Sequence, residues 1–415
     1  MSLLIRTAKE VHSQASLLLS AASGEPLKLQ TLGSQTLDPD DVALAHQYLQ
    51  QPEQWYQNKI VVRYEEAFAR WNGSRHAFAF ASGREALSAC LGALGLRPGE
   101  EVVLPGYTCV VVPNALLFAG LRPVYADIEL ETFGPSAESV FSRVTSRTKA
   151  VLLHHLYGLI SRDYQKIVEG CHKRGILVIE DCAQATGAEL HGHKVGLLGD
   201  VAFYSSEQSK VFNTIQGGMA VTENAALASA LAQIQSKAPW PDRFHVNGLL
   251  HQTIRNYYRF KHPQRLWLGS FAELLHGGRK VISTTDADER GERPPHYGRR
   301  LAAPQAALGI NQLAKLDDYN QRRRDTAARW EKWCLKRGYT PPLVIPGSLP
   351  VYLRYPFLAD PATKADLSWS KKELGVELGV WFVSQLHPAQ NRLVPGCPKA
   401  ETAVARCVNL PGLLF

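Results

Sequence analysis

From His76 onward, short apolar runs alternate with longer stretches in which apolar residues recur every three or four positions. The runs fall at 76–81, 101–104, 123–128, 150–154, 176–180, 201–205 and 219–222. Their length and continuous apolar character predict strands buried on both faces. The stretches at 84–94, 110–119, 137–144, 162–174 and 225–233 predict helices. Alternating strand and helix predict an α/β architecture, a mostly parallel seven-stranded sheet flanked by helices. Gly99 and Gly175 each follow a helical stretch and supply its stop.

The rhythm changes at both ends. Residues 1–55 read as helical and loop segments with no clear site. Residues 236–300 break the alternation, and 284–296 (TTDADERGERPPH) read as an exposed loop. Leu308, Leu313, Leu316 and Tyr319 predict one long helix over 304–333. The remainder mixes short strands and helices. The expected division is an N-terminal segment at 1–55, a large α/β domain at 56–320 with an insertion at about 236–300, and a smaller C-terminal α+β domain at 321–415.

Composition narrows the class. A chain of 415 residues is long enough for two domains. No run of 18 apolar residues occurs, so no membrane-spanning helix is expected. The apolar patch from Ala15 to Ala22 is interrupted by serines and preceded by mixed charge, which argues against a secretory signal. Seven cysteines, with no C-x-x-C spacing, argue against a disulfide framework or structural zinc and for a reducing, cytoplasmic setting.

A net charge of +8 suits an anionic ligand such as a nucleotide-linked substrate, or is simply a solvated basic surface. No zinc-finger, RNP or homeodomain pattern appears, so nucleic acid is not an expected partner. Between His251 and Lys280, six basic residues with interleaved aromatics face one acid, Glu273. That segment could touch a membrane surface or an anionic substrate; an ordinary solvated helical face is the plainer alternative.

The densest chemistry lies between Val178 and Gly218. Asp181 follows an apolar run, and ligands gather beyond the carboxyl ends of parallel strands. Lys210 stands five residues after Ser205 and shortly before Gly217-Gly218. A lysine can form a Schiff base with an aldehyde, and an acid can keep a pyridine nitrogen protonated. Together these are parts for holding pyridoxal 5'-phosphate (PLP). Taken singly, Lys210 reads as a surface lysine and Asp181 as a helix cap.

Ser82-Gly83-Arg84 follows a strand and opens a helix, where backbone N–H groups suit a phosphate. Gln184 is placed to hydrogen-bond a ring hydroxyl. Glu180 should point away from Asp181, because side chains alternate along a strand. His154 and His155 likewise point to opposite faces, which reads as one packed and one pocket histidine more readily than a zinc pair.

These pieces resemble the DegT/DnrJ/EryC1/StrS sugar aminotransferases, within the fold-type I aspartate aminotransferase superfamily. The resemblance runs from about Tyr56 to the C-terminus. It includes Ser82-Gly83, Leu104-Pro105-Gly106-Tyr107-Thr108, His155-Leu156-Tyr157-Gly158 and Glu180-Asp181-Cys182-Ala183-Gln184. It continues through Ser205 and Lys210, Gly217-Gly218, Arg300-Leu301 and Gln305-Ala306-Ala307-Leu308-Gly309. The resemblance implies a PLP-dependent transaminase. Lys210 would form the Schiff base and shuttle the proton, Asp181 would pair with the pyridine nitrogen, and Gln184 would contact the ring oxygen. Ser205 and the Gly83-Arg84 backbone would hold the phosphate. It also implies an amino-acid donor, L-glutamate, a keto-sugar acceptor, typically nucleotide-linked, and a homodimer. A cyclitol or lipid-linked sugar, or a non-catalytic homologue, are the alternatives.

Three positions depart from the family pattern. Arg84 stands where threonine is usual, Cys109 where an aromatic or histidine stacks on the ring, and Gly298 where an asparagine reaches the neighbouring subunit's phosphate. Arg84 would then answer the phosphate charge, and Tyr107 would supply the stacking.

Overall fold

The computed structural model describes residues 33–261, 285–295, 297–374, 378–392 and 394–414. In chain order the strands are β1 His76–Phe80, β2 Glu101–Pro105, β3 Thr108–Cys109, β4 Arg122–Ala126, β5 Thr148–His154, β6 Leu177–Asp181 and β7 Glu189–Leu190. Then come β8 His193–Lys194, β9 Val201–Ser205, β10 Gly218–Thr222, β11 Ser348–Leu349, β12 Arg354–Leu358, β13 Leu386–His387 and β14 Cys407–Pro411. Seven of them form the central sheet in the order β1-β10-β9-β6-β5-β2-β4. β4, β2, β5, β6 and β9 run parallel, and β10 lies antiparallel between β9 and β1. These are the seven strands expected from the apolar runs.

The strand interiors are largely apolar because both faces of the sheet are covered. Along β2, Val103 enters one core and Leu104 the other; Val151 and Leu152 divide the same way on β5, as do Val178 and Ile179 on β6. That is the two-residue period of a strand working on two buried faces. Burying each such side chain is worth about 1.5–3 kcal/mol. Helix Gly83–Ala93 packs Leu87 and Leu91 into one core. Helix Asn58–Asn72 supplies Val61, Tyr64 and Phe68 to the other.

The long helix is Ala303–Lys336. Its Ala306, Leu313 and Leu316 join the core of the large sheet. Further along, Ala327, Trp330 and Cys334 pack with Tyr355 and Phe357 of β12 and Val408 and Leu410 of β14. The core therefore changes partway along one continuous helix, and residue 320 lies inside it.

Two expectations need adjustment. Residues 286–290 form a helix, Asp286–Arg290, and not an exposed loop. Thr285 caps it by accepting from Asp288 N–H, and Asp288 is almost wholly buried. The ion pair from Asp288 to Arg84, described below, accounts for that burial. The break at 236–300 contains a helix, Arg243–Lys261. Most of the basic aromatic stretch, including Arg265, Trp267, Phe271, Arg279 and Lys280, lies outside the described residues, as do residues 1–32. Among the described residues, no helix is long and apolar enough to cross a membrane.

Candidate active site

Lys210 sits on the loop between β9 and β10. The loop is closed by its own bonds: Ser206 N–H donates to Gly217 O at 3.0 Å, Thr214 N–H to Ser206 O at 2.9 Å, and Lys210 N–H to Glu207 O at 2.8 Å. It presents the lysine so that Nζ lies 5.1 Å from the ring centroid of Trp381. Asp181 ends β6, and Ala183 N–H donates to its Oδ1 at 3.0 Å. It keeps part of its surface open to the site but is ringed by protein. That desolvation raises its carboxyl to about 6, against the opposing fields of Lys210 and His155. Burial also raises the Cys109 thiol; the fields of Lys210 and Arg84 oppose that rise and Asp181 adds to it. Lys210, Asp181, Arg84 and Cys109 thus share one neighbourhood at the carboxyl edge of the sheet.

Beside them is a cradle of bare backbone. Ser82 caps helix Gly83–Ala93, accepting from Glu85 N–H at 3.3 Å. A Cβ on Gly83 would stand 2.8 Å from Ser205 Cβ. A Cβ on Gly218 would collide with Ser82 O and stand 2.7 Å from Gly83 N. Only glycine lets these segments meet, and their meeting sets the helix start, with its outward N–H groups, directly against the Ser205 side chain. This is the arrangement that suits a phosphate. The structure therefore brings together Ser82, Gly83 and Ser205 in one cluster, with Lys210 and Asp181 in the other, at the same sheet edge.

Gln184 Oε1 accepts from Tyr157 N–H at 2.9 Å, so the end it can offer a ligand is the Nε2 donor. Glu180 points to the other face, as strand alternation requires. Burial would raise its carboxyl, but His155 first, then the Tyr164 hydroxyl and the Gly199 N–H, hold it below the usual range; Gly196 and Leu198 N–H groups also donate to it. His154 and His155 do face opposite ways, to Phe133 O and to Glu180. Both are buried, so neither is open to the pocket.

Tyr107 is not a stacking platform. It is fully buried, its ring stacks on Phe382 at 4.3 Å, and its hydroxyl bonds the Tyr157 hydroxyl at 2.9 Å. Phe382, from the C-terminal part of the chain, offers the ring face on which Tyr107 packs, and so Tyr107 turns into the core. Arg84 does reach the helix start, but Asp288 holds its guanidinium at 2.7 Å. The charge it was expected to bring to a phosphate is largely cancelled there. Tyr297, beside Gly298, donates its hydroxyl to Arg84 O at 3.1 Å and so braces the same helix start.

Sequence reasoning missed Trp381 and His387. Both come from the C-terminal part of the chain, and β13 pairs with β3 so that His387 lies opposite Cys109. His387 accepts from Val383 N–H at Nδ1, and burial with the fields of Lys210 and Lys364 lowers it to about 4. No local pattern marks either residue; only the pairing of two short distant strands brings them in.

The pattern of the DegT/DnrJ/EryC1/StrS aminotransferase family matches residues 36–413. The chain belongs to that family. GDP-perosamine synthase of Caulobacter vibrioides is 37% identical over 185 residues, 45% of this chain and 50% of that one. L-glutamine:2-deoxy-scyllo-inosose aminotransferase of Streptomyces kanamyceticus is 31% identical over 286 residues, 69% of this chain and 58% of that one. The chain thus spans about half the length of the curated relatives it matches. The crystal structure of NtdA from Bacillus subtilis with bound cofactor PMP shares the fold, with a TM-score of 0.70, 23% identity and coverage of 93% and 81% of the two chains.

Proposed function

We propose that this chain is a PLP-dependent aminotransferase that moves an amino group from an amino acid, L-glutamate in the first instance, to the keto group of a nucleotide-linked sugar. The observation that carries the reading is the convergence of Lys210 and Asp181 beside a glycine-bounded helix start. The donor set fits the cofactor: an amine for its aldehyde, a carboxylate for its ring nitrogen, and N–H groups with Ser205 for its phosphate. When bound, PLP supplies an electron sink for the carbon that loses its proton.

The chain's own groups do the rest. Lys210 would hold the cofactor by its aldehyde, and its Nζ would be the group that carries a proton when free. Asp181 is ionised above about pH 6. A cation brought against it stabilises that charge and is itself kept protonated. His387 is neutral at pH 7 because its proton is lost near pH 4, so it adds no charge to compete with Lys210. Ser205 and the helix start orient the phosphate end. Family membership supports a homodimer as the working assembly.

The name of the Streptomyces relative supports a second reading, with a cyclitol ketone as acceptor and L-glutamine as donor.

The test is the visible spectrum of the purified chain with PLP, before and after L-glutamate, with Lys210→Ala alongside. A yellow band that bleaches with glutamate, and a half-reaction at least about 100-fold slower in the variant, are expected. A chain that takes up no PLP overturns the proposal. A band that answers only L-glutamine moves the donor, and the acceptor is then sought among cyclitols.

A further inference from the structure

Helix Arg243–Lys261 lies in the break that follows β10, and it carries two distinct stripes. Val246 and Leu250 are buried with Ala45, Tyr48 and Trp55, which fixes the helix to the body of the fold. His245, Leu249, Gln252 and Asn256 recur at steps of four, three and four, so they share a second face. That face is mostly polar, yet Gln252 is buried to 2% exposure and Asn256 to 7%. A buried polar stripe is the informative case, because apolar side chains would fill the same space at lower cost.

All four residues meet the loop that carries Lys210. Gln252 Nε2 and Asn256 Nδ2 each donate to the Gln208 carboxamide oxygen at 2.8 Å, two residues before the lysine. His245 Nε2 lies 2.8 Å from Gln216 Oε1, near the loop's other end. Leu249 packs with Leu37 against Ile215. Ile215 has a φ of 67°, in the left-handed region where a β-branched residue is strained. Such a conformation persists only where its surroundings hold it. Here Ile215 N–H donates to Asn213 Oδ1 at 2.7 Å, and the side chain is buried against Leu249. Gln208 N–H donates to Ile215 O at 3.2 Å, which joins the two held points across the loop.

We propose that helix Arg243–Lys261 braces the Lys210 loop, with Gln252 and Asn256 as positioning residues that act through Gln208 to set the reach of Lys210 Nζ. The inference rests on the aminotransferase reading above. In that reading Nζ condenses with the aldehyde carbon of PLP and one water leaves, a step that depends on where Nζ stands. Pyridoxamine phosphate carries an amine in place of the aldehyde and cannot condense with a lysine. The brace therefore governs Schiff-base formation and leaves the binding of pyridoxamine phosphate alone.

The test compares the full chain as wild type, Gln208→Leu, Gln208→Glu, and the double variant Gln252→Leu with Asn256→Leu. Thermal melts establish which variants are folded. Growth of the yellow band after mixing with PLP should slow by about 10- to 100-fold in Gln208→Leu and in the double variant, the loss expected when a reacting atom is misplaced by up to about 1 Å. Affinity for pyridoxamine phosphate, read by calorimetry, should stay that of wild type. Gln208→Glu keeps an oxygen for both donors and should react near the wild-type rate. Hydrogen exchange of backbone 206–217 in the cofactor-free chain should quicken in Gln208→Leu and stay slow in Gln208→Glu. Band growth as fast as wild type in both leucine variants overturns the brace. So does an equal loss of affinity for pyridoxamine phosphate, which marks general damage to the site. If the double variant does not fold, Gln208→Leu, at a half-buried position, decides alone. If wild type forms no yellow band, the aminotransferase reading fails; quickened exchange in the loop then still supports the brace, and unchanged exchange overturns it.

Discussion

Asp181→Asn should stabilise the cofactor-free protein and disable the cofactor-bound one. Burial raises the Asp181 carboxyl from 3.8 to about 6. A tenfold change in proton affinity is worth about 1.4 kcal/mol, so holding this group ionised costs the fold about 3 kcal/mol at pH 7. The sign follows from proton counting. Between about pH 4 and 6 the folded chain keeps a proton that the unfolded chain has released. Stability therefore falls as pH rises through that window and is flat above it. Below about pH 4 both states are protonated and the cost vanishes.

Asparagine keeps an oxygen for the Ala183 N–H and never ionises. The variant should gain nothing below about pH 4 and close to the full 3 kcal/mol above pH 6. With an unfolding entropy of roughly 2.1 cal/mol/K per residue, that is an upward Tm shift of roughly 3 °C for a chain of 415 residues. The assay is thermal melting of cofactor-free wild type and variant at pH 4 and pH 7.5, then again with saturating PLP. The cofactor should stabilise wild type more than the variant, because only the aspartate gains from a protonated ring nitrogen. A variant no more stable than wild type at pH 7.5, or equally more stable at both pH values, would refute the reasoning.

Two further substitutions separate the cradle from the core. Gly218→Ala drives a methyl into the Ser82–Gly83 backbone, which cannot yield as a flexible side chain could; overpacking of this kind typically costs about 1–3 kcal/mol, and PLP affinity measured by fluorescence titration should fall with it. An unchanged affinity would show that this backbone does not hold the phosphate. Tyr107→Phe removes a buried hydroxyl bonded to Tyr157 and should lower stability by about 1 kcal/mol in a urea melt while leaving PLP affinity intact. A tenfold loss of affinity would return Tyr107 to the cofactor site.

Much of the fold was legible because its strands are unambiguous. Runs such as Val201–Ser205 are apolar at almost every inward and outward position, and only a strand covered on both faces uses such a run. Lys210, Asp181, Ser205 and Gly83 were legible for a related reason: each sits near a strand end or helix start, where local pattern and chemistry coincide. Tyr107 was misplaced because composition marks an aromatic near the site but not which way it turns. That was decided by Phe382, more than 270 residues away, which offers its ring face. Arg84 was read as a free charge because Asp288 lies far along the chain, in a stretch whose charged and proline-rich composition mimics a loop.

By itself, then, the sequence determined the order of strands and helices, the family, and the residues that stand at the carboxyl edge of the sheet, since all of these follow from local periodicity and short spacing. Tertiary structure alone decided the partners. It set Trp381 beside Lys210, His387 opposite Cys109, and Asp288 against Arg84. Those contacts depend on which distant segments share buried space, and close packing settles that only once the whole chain is folded.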